Sequence, residues 1–370
     1  MELSYLRPLF AKPGPWASVY LDATHSEQDA AHEIDLRWRA LRERLVEQGA
    51  GEDVLVALEE AIVQRPYRSG RYGLAVFANG DGPAVAEPLP APPAVEMAAF
   101  DALPYAMPMV SQRGDEIPYV RVISDRTGAD VTGLTVGGTQ RTEHVKGGDD
   151  YPLTKVRGGG WSNPRYQRAA EETWKRNAGD VAKAVGELAQ EVGAEVIVVG
   201  GDVREVPLIA EKLPKRWRDR VVTSDAGTRH ATEEEALDEI TAQAIADVAA
   251  RHVQDAIDRY LAQPGPVAGL TEVVTRLQRG QADTVLLTDH PDSTDKLWIA
   301  ESDPALIAVD ARELQDAGVQ HPVQVRADEA LLRAIVGTGA ELVLVQPEQV
   351  RLEHGIGAVL RYADGDTAAT

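Results

Sequence analysis

A run of three glycines, Gly158 to Gly160, directly precedes a long helix-forming segment, and this junction limits the possible folds of the chain more than any other stretch. Glycine has almost no steric preference for a backbone conformation, so the run favours neither a helix nor a strand. Asn163 and Pro164 follow, as is typical of a helix N-cap and a first helical residue. Apolar residues then recur at spacings of three and four, at Tyr166, Ala170, Trp174, Val181, Val185, Leu188 and Val192. The pattern predicts a glycine-rich loop at the start of a long, well-anchored helix.

The loop and the start of this helix are basic in an otherwise acidic chain. The 370 residues carry a formal net charge of -21, which argues against broad binding of nucleic acid and against DNA as a partner. Between Tyr151 and Arg176, however, six lysines and arginines accompany only two glutamates, together with four aromatic residues. A short segment that is basic and rich in aromatic residues, in an otherwise acidic chain, predicts that this segment inserts locally into RNA. The alternative is a solvated helix face with Tyr166 and Trp174 in the core, and for these two side chains we favour the core.

Length and composition are typical of a folded protein with several domains. A chain of 370 residues is too long for one ordinary core, and 44% of its residues are hydrophobic. No apolar run approaches the roughly 20 residues of a membrane span, and the N-terminus lacks the pattern of a signal peptide. Without cysteine there are no disulfides and no thiolate metal sites. We therefore expect a cytoplasmic protein with no cofactor and no membrane partner.

Alternating strand and helix patterns predict a mixed α/β (α+β) fold with three domains. Residues 1–116 are predicted to form an N-terminal α/β domain. Residues 117–262 are predicted to form a central mixed-sheet domain that carries the loop 155–168, and residues 263–370 a C-terminal α-β-α sandwich. Two local expectations are more specific. The prolines between residues 83 and 93 are expected to prevent regular hydrogen bonding, and residues 304–317 are expected to be helical.

The chain contains none of the strong motifs of hydrolytic, phosphoryl-transfer or metal chemistry. Asp289, His290, Asp292 and Asp295 cluster after a predicted strand and could hold a cation, although a solvated turn accounts for them. Asp202 is expected to be a helix N-cap and not a metal ligand. The residues alone thus favour a binding protein over an enzyme, with no catalytic and no metal-binding residue predicted.

Around the glycine loop the sequence resembles the central domain of archaeal and eukaryotic class-1 release factors and of Pelota. The resemblance is to the bacterial branch that includes the ribosome hibernation factor Balon. Release factors carry Gly-Gly-Gln-Ser at this point, followed by Arg-Phe-x-Arg and a long helix. Here Gly159-Gly160-Trp161-Ser162 is followed by Arg165-Tyr166-Gln167-Arg168 at matching spacing. The predicted order of the three domains is similar as well.

The chain differs from release factors at the residue that carries their activity. The release-factor glutamine orients a water molecule against the ester of peptidyl-tRNA, and the matching residue here is Trp161. An indole donates one hydrogen bond and accepts none, so it cannot replace that amide. The chain also lacks the Asn-Ile-Lys-Ser stretch and the cysteine-containing motif that release factors use to read stop codons. The resemblance therefore implies neither stop-codon reading nor hydrolysis by the usual route.

The resemblance implies a hibernation factor that occupies the A site of the 70S ribosome during stress and contacts rRNA of both subunits. The N-terminal domain would lie in the decoding region, and the loop would point towards the peptidyl-transferase centre. Cations would meet rRNA phosphates there, and Trp161 would stack on a base. The implied rRNA-binding residues are Lys155, Arg157, Gly158, Gly159, Gly160, Trp161, Arg165, Gln167 and Arg168. Relatives associate with a translational GTPase, so elongation factor Tu is the expected protein partner.

Two alternatives remain open beside hibernation. One is a peptidyl-tRNA hydrolase in which a neighbouring amide, Asn163 or Gln167, orients the water molecule. The other is a ribosome rescue factor like Pelota, which recruits the recycling machinery and performs no chemistry. The sequence separates the hydrolase only weakly from the other two functions, and it does not separate hibernation from rescue.

Overall fold

The computed structural model describes seven stretches of the chain. They are residues 1–24, 30–65, 70–125, 128–146, 163–224, 231–288 and 295–362. The chain forms two compact units: Met1–Gly114 together with Val253–Thr370, and Asp115–His252. The division into three domains at residues 116/117 and 262/263 stays a prediction.

The N-terminal part of the first unit is a four-stranded antiparallel sheet with helices. Its elements are α1 (Arg7–Phe10), β1 (Trp16–Asp22), α2 (Ala30–Glu47), α3 (Glu52–Val63), β2 (Gly73–Ala78), β3 (Val85–Leu89), β4 (Met97–Asp101) and α4 (Met107–Arg113). The strands lie in the order β3-β2-β1-β4. Because side chains alternate along a strand, Val19 and Leu21 of β1 pack with α2 and α3, whereas Tyr20 belongs to the core on the opposite face.

The proline-rich segment contains a strand, so the expectation that it lacks regular hydrogen bonding is wrong. Strand β3 pairs with β2, and Pro88 lies opposite Leu74. Proline is tolerated at this place because β3 is an edge strand, which has a partner on one side only.

The second unit is built on a five-stranded mixed sheet, as the sequence predicts for the central part of the chain. Its elements are β5 (Tyr119–Asp125), β6 (Gly128–Leu134), β7 (Gln140–Lys146), α5 (Asn163–Val192), β8 (Val196–Gly201), α6 (Glu205–Lys212), α7 (Lys215–Arg218), β9 (Val221–Thr223) and α8 (Ala231–Leu261), which continues into the first unit. The strand order is β7-β6-β5-β8-β9. Strands β7, β6 and β5 are antiparallel, and β5, β8 and β9 are parallel.

Strand β8 is buried on both faces and joins the two layers of the second unit. Ile197 and Val199 share a core with α5, α6 and α7. Val196 and Val198 point to the other face and share a core with α8. This alternation explains why an unbroken run of β-branched residues forms the central strand of a covered sheet.

The C-terminal part of the first unit contains two further sheets. Its elements are β10 (Val267–Ala268), α9 (Leu270–Gln278), β11 (Ala282–Thr288), β12 (Lys296–Ala300), β13 (Asp303–Ala308), α10 (Ala311–Asp316), β14 (Val323–Arg326), α11 (Ala327–Thr338), β15 (Glu341–Val345) and β16 (Ile356–Leu360). The strand orders are β10-β16-β11-β15 and β13-β12-β14.

The larger of these sheets is covered on both faces, as in the predicted α-β-α sandwich, but one covering helix, α8, lies before residue 263, where the predicted C-terminal domain begins. On one face Leu286 and Val343 pack with Ile257 of α8. On the other face Val285 and Leu342 share a core with α9 and α11. The two faces thus bury alternate residues of the same parallel strands.

Residues 304–317 form a strand and a short helix, which corrects the expectation of one helix. Ile307 of β13 lies opposite Ile299 of β12 and is fully buried. Asp310 then begins α10 by accepting a hydrogen bond of 2.9 Å from the backbone N–H of Arg312. Cross-strand pairing and burial outweigh the weak local preference for a helix.

The N- and C-terminal parts of the first unit share one hydrophobic core. Within it, the Glu329 side chain is 2% exposed, and its Oε1 accepts a hydrogen bond of 2.8 Å from the N–H of Met107 at the start of α4. Burial, followed by the negative charge of Asp328, raises the pKa of Glu329 well above its ordinary value. At this contact between the two parts of the chain, the protonated and therefore neutral form of Glu329 is favoured.

Candidate nucleic-acid interface

The predicted RNA-binding residues fall at the junction of β7 and α5. Lys155, Arg157, Gly158, Gly159, Gly160 and Trp161 lie in residues 147–162, outside the described residues. Arg165, Gln167 and Arg168 lie on the first turns of α5, which begins at Asn163, and their side chains are outside the described part as well. The sequence position of the loop, between a strand and a long helix, is as predicted.

Helix α5 is anchored along its C-terminal half. Val181, Val185, Leu188 and Val192 are buried, as the spacing predicts, and they face β5, β6 and β8. Burial of each such side chain contributes about 1.5–3 kcal/mol, so the stripe holds the helix firmly on the sheet. With 30 residues the helix is about 45 Å long. The loop precedes this rigid support.

Trp174 is half-buried on α5, so its prediction as a core residue holds in part. The guanidinium of Arg204, from the turn before α6, lies 5.7 Å from the centroid of the Trp174 ring. A cation above an aromatic face is attracted by the ring quadrupole. This contact places an exposed positive charge beside α5, three turns after the helix begins.

The turn from β8 to α6 is built on a close approach of two backbones. Gly201 has a φ of 131°, and a Cβ at this position would lie 2.0 Å from the carbonyl oxygen of Ser124 in β5. Asp202 follows, and its Oδ1 accepts a hydrogen bond of 2.9 Å from the N–H of Arg204. The N-cap of α6 is Arg204, which corrects the expectation for Asp202. The aspartate orders the turn two residues before the helix cap.

A histidine between two carboxylates is a feature that the sequence pattern does not indicate. The Nδ1 of His252 lies 2.7 Å from Asp115 Oδ2, and its Nε2 lies 2.7 Å from Glu195 Oε2. Asp115 and His252 are the first and last residues of the second unit. Burial lowers the pKa of His252, but the hydrogen bond to Asp115 and the charge of Glu195 outweigh it, so the pKa is raised. The imidazolium is favoured at this position.

Replacing His252 by glutamine is expected to destabilise the protein more at acidic than at basic pH. Because the pKa of the folded state is raised, the stabilisation is fully present below about pH 6.5 and is lost as pH rises through the folded-state pKa. The side chains are partly exposed, so the effect is about 1 kcal/mol or less. Urea unfolding of wild type and variant at pH values below and above about 6.5 measures the difference in unfolding free energy. A difference in unfolding free energy that does not change with pH would contradict the ion-pair role.

The described residues contain no group of three histidine, aspartate or glutamate side chains arranged to hold a metal ion. Of the acidic cluster noted after β11, Asp289, His290 and Asp292 lie outside those residues, and Asp295 is within them. Over the same stretches of chain, no helix combines the length and the apolar character required to cross a membrane.

Comparison with known proteins identifies the class of this chain. Residues 118–266 match the bacterial archaeo-eukaryotic release factor family 2. The chain is also 31% identical over 370 residues to the uncharacterised protein Rv2629 of Mycobacterium tuberculosis (strain H37Rv), with 98% of this chain and 97% of that protein covered. The protein MT2704 of Mycobacterium tuberculosis (strain CDC 1551) matches to the same extent. The family match defines a release-factor-like protein. The chain belongs to the bacterial archaeo-eukaryotic release factor family.

Several solved structures of translation factors are also similar to this chain. The archaeal translation termination factor aRF1 is 14% identical and covers 97% of this chain and 96% of its own, with a TM-score of 0.22. Dom34 of Saccharomyces cerevisiae is 11% identical with 81% and 82% covered and a TM-score of 0.37. Ribosome-bound archaeal Pelota is 13% identical with 98% and 94% covered and a TM-score of 0.38. The scores are low, so the family assignment rests on the sequence matches.

Proposed function

We propose that this protein occupies the A site of the 70S ribosome and holds the ribosome inactive yet intact, as a hibernation factor. The observation that carries the proposal is Trp161. The spacing of the neighbouring glycines and arginines matches it to the glutamine of a release-factor loop, and it lies within residues 118–266, which match the release-factor family. The family match supports binding to the ribosome, and the loss of the amide supports binding without hydrolysis.

The basic residues at the start of α5 are suited to contact rRNA phosphates. Lys155, Arg157, Arg165 and Arg168 surround the glycine run in sequence, and the last two lie on the first turns of the helix. The N-terminus of a helix also carries a partial positive charge, which adds to the attraction of an anion. Trp161 adds stacking on an exposed base, at about 1–3 kcal/mol.

The anchoring of α5 supports this use of the loop. The described apolar residues between Ala178 and Val192 bind the helix to the sheet of the second unit. A loop at the head of a rigid helix about 45 Å long can reach from the body of a tRNA-sized protein towards the peptidyl-transferase centre. Contacts with rRNA of both subunits, and delivery by a translational GTPase of the elongation factor Tu type, belong to the same proposal.

Reversing three of the loop charges is expected to weaken binding to ribosomes strongly. The variant is Arg157→Glu/Arg165→Glu/Arg168→Glu, and the measurement is co-sedimentation with purified 70S ribosomes over a range of salt concentrations. Wild type should pellet at low salt and be released as salt rises, because phosphate contacts displace counterions. Three lost phosphate contacts should lower the slope of log K against log salt by about three.

A matched variant controls for the change in net charge. Arg279, Arg312 and Arg351 are exposed arginines of the C-terminal part of the chain, and Arg279→Glu/Arg312→Glu/Arg351→Glu carries the same change. The control should pellet like wild type. The proposed function fails if wild type stays in the supernatant at every salt concentration, and the role of the loop fails if both variants behave alike.

A peptidyl-tRNA hydrolase is the rival function. Asn163 and Gln167, the two amides that could replace the missing glutamine, both belong to α5 and are therefore part of a regular helix. Residue 163 is the first of that helix. Release of peptide by the wild-type protein, lost in Gln167→Ala, would establish the hydrolase in place of the non-hydrolytic factor.

A further inference from the structure

A second concentration of positive charge lies on the second unit, within residues 204–220. It comprises six exposed cations on and around α6 and α7: Arg204, Lys212, Lys215, Arg216, Arg218 and Arg220. We call them the α6–α7 basic surface. Between residues 212 and 220 there are five cations and one carboxylate, in a chain whose net charge is -21. The surface is therefore positively charged on a protein whose net charge is negative.

The described part of the chain supplies no carboxylate that neutralises the cations of this surface. Among the described residues none of the six forms an ion pair, although Arg141 and Lys183 of the same unit pair with Glu191 and Glu187. Two exposed acids of the segment, Glu211 and Asp219, make no ion pair there either. Like charges held close together repel each other, so such a surface is stabilised when an anion binds it.

Two of the guanidinium groups are held in place by one buried tryptophan. Arg216 and Arg220 lie 5.2 Å and 5.6 Å from the centroid of the Trp217 ring. Each also donates one hydrogen bond, from Arg216 Nη2 to Gln190 Oε1 at 2.7 Å and from Arg220 Nη1 to the Ala194 carbonyl at 2.9 Å. A guanidinium has five N–H donors, so both groups retain donors for a phosphate. Stacking thus positions the cations in advance of binding.

The surface is elongated along α5. At one end Arg204 lies over the ring of Trp174, and further along Lys212 Nζ is 3.9 Å from the Cβ position of Gly179. At the other end Arg216 is hydrogen-bonded to residue 190. From residue 174 to residue 190 the helix rises about 24 Å. A row of this length fits an extended polyanion and is much longer than a single phosphate group.

We propose that the α6–α7 basic surface binds the sugar-phosphate backbone of RNA, in addition to the contact proposed for the glycine loop. Arginine and lysine recognise phosphates through charge and hydrogen bonds without reading the bases, so the contact is independent of sequence. The inference rests on the proposed function in that the RNA is ribosomal. It extends the RNA contact from the start of α5 along the side of the helix.

The test compares two changes within the second unit: removal of cations that have no carboxylate partner among the described residues, and removal of cations that have one. The variant Lys215→Gln/Arg216→Gln removes two cations of the surface, and Lys183→Gln/Arg141→Gln removes one lysine and one arginine that already have carboxylate partners. Binding of a fluorescein-labelled RNA hairpin is measured by fluorescence anisotropy at several salt concentrations. The surface variant should bind about tenfold more weakly at low salt, with a salt slope lower by about two. The control should match wild type.

Three results of the hairpin titration would overturn the inference. The first is equal weakening in both variants, which would reflect net charge alone. The second is displacement of wild type from the hairpin by poly-L-glutamate as readily as by unlabelled RNA, which would indicate an acidic protein partner. The third is no binding of the hairpin by wild type. Circular dichroism and unfolding curves of the surface variant, matched to those of wild type, exclude misfolding as the cause of weaker binding.

The same variants separate this inference from the proposed function in co-sedimentation with 70S ribosomes. If wild type and both variants pellet equally, the ribosome is bound but the α6–α7 basic surface does not contribute, and the inference fails alone. If wild type does not pellet at all, the proposed function fails, and the hairpin titration alone decides whether the surface binds RNA. If the surface variant alone pellets more weakly than wild type, the result supports both the inference and the proposed function.

Discussion

If the proposed function is right, wild type releases no peptide, and replacing Trp161 by glutamine is expected to create that activity. The substitution restores Gly-Gly-Gln-Ser at the head of α5, with Arg165 and Arg168 at the spacing found in release factors. A glutamine carbonyl can accept a hydrogen bond from the attacking water, whereas an indole only donates. A group that orients the nucleophile contributes on the order of 10²-fold or more in rate. The measurement is release of labelled peptide from peptidyl-tRNA bound to 70S ribosomes.

Trp161→Ala is the matched control for this experiment. It removes the indole and provides no amide, so it should remain at background while still pelleting with ribosomes. If Trp161→Gln also stays at background although it binds ribosomes like wild type, the loop does not reach the peptidyl-transferase centre. That result would contradict the position proposed for residues 155–168.

Replacing Gly201 by alanine is expected to destabilise the second unit by more than about 3 kcal/mol. The added Cβ would lie 2.0 Å from the Ser124 carbonyl oxygen, and Ser124 is directly paired with Gly201 between β5 and β8. The clash is with backbone, so it can be relieved only by separating two central strands. The φ of 131° adds strain for any residue with a side chain. Urea or thermal unfolding of the purified variant measures the loss.

Gly193→Ala provides the comparison within the same unit. Gly193 also has a positive φ, at 69°, but no atom lies within 4 Å of its Cβ position. Its replacement should cost only about 1 kcal/mol, the usual cost of the left-handed conformation. Equal losses in the two variants would show that backbone strain alone, and not the contact with Ser124, accounts for the effect at Gly201.

Elements with strong local patterns could be predicted from the sequence. Helix α9 at Leu270–Gln278 and strand β15 at Glu341–Val345 are of this kind, because each carries an unambiguous apolar pattern. Strand β3 could not be predicted in this way, because its tolerance of Pro88 depends on its place at a sheet edge. The shared core of the N- and C-terminal parts joins residues more than two hundred positions apart, such as Met107 and Glu329, and leaves no periodic signal.

In the candidate site too, features that are contiguous in sequence could be predicted, and contacts between distant residues could not. The glycine run, the basic residues near it and the long helix are contiguous, so the loop was predictable from the sequence. The His252 ion pairs join residues 137 and 57 positions apart and could not be predicted from spacing. The α6–α7 basic surface did have a local signal, since Lys215, Arg216, Arg218 and Arg220 surround Trp217. Its capacity to bind an anion could not be inferred from this signal, because that capacity depends on tertiary contacts, which leave those cations without carboxylate partners among the described residues.

The most direct test of A-site occupancy is a cryo-EM map of the protein bound to 70S ribosomes. We expect density for the protein in the A site, with the N-terminus of α5 and residues 155–168 directed to the peptidyl-transferase centre and Trp161 against an rRNA base. The N-terminal part of the chain should lie in the decoding region. Density for the protein at any other ribosomal site, with the A site empty or filled by tRNA, would contradict the proposed function.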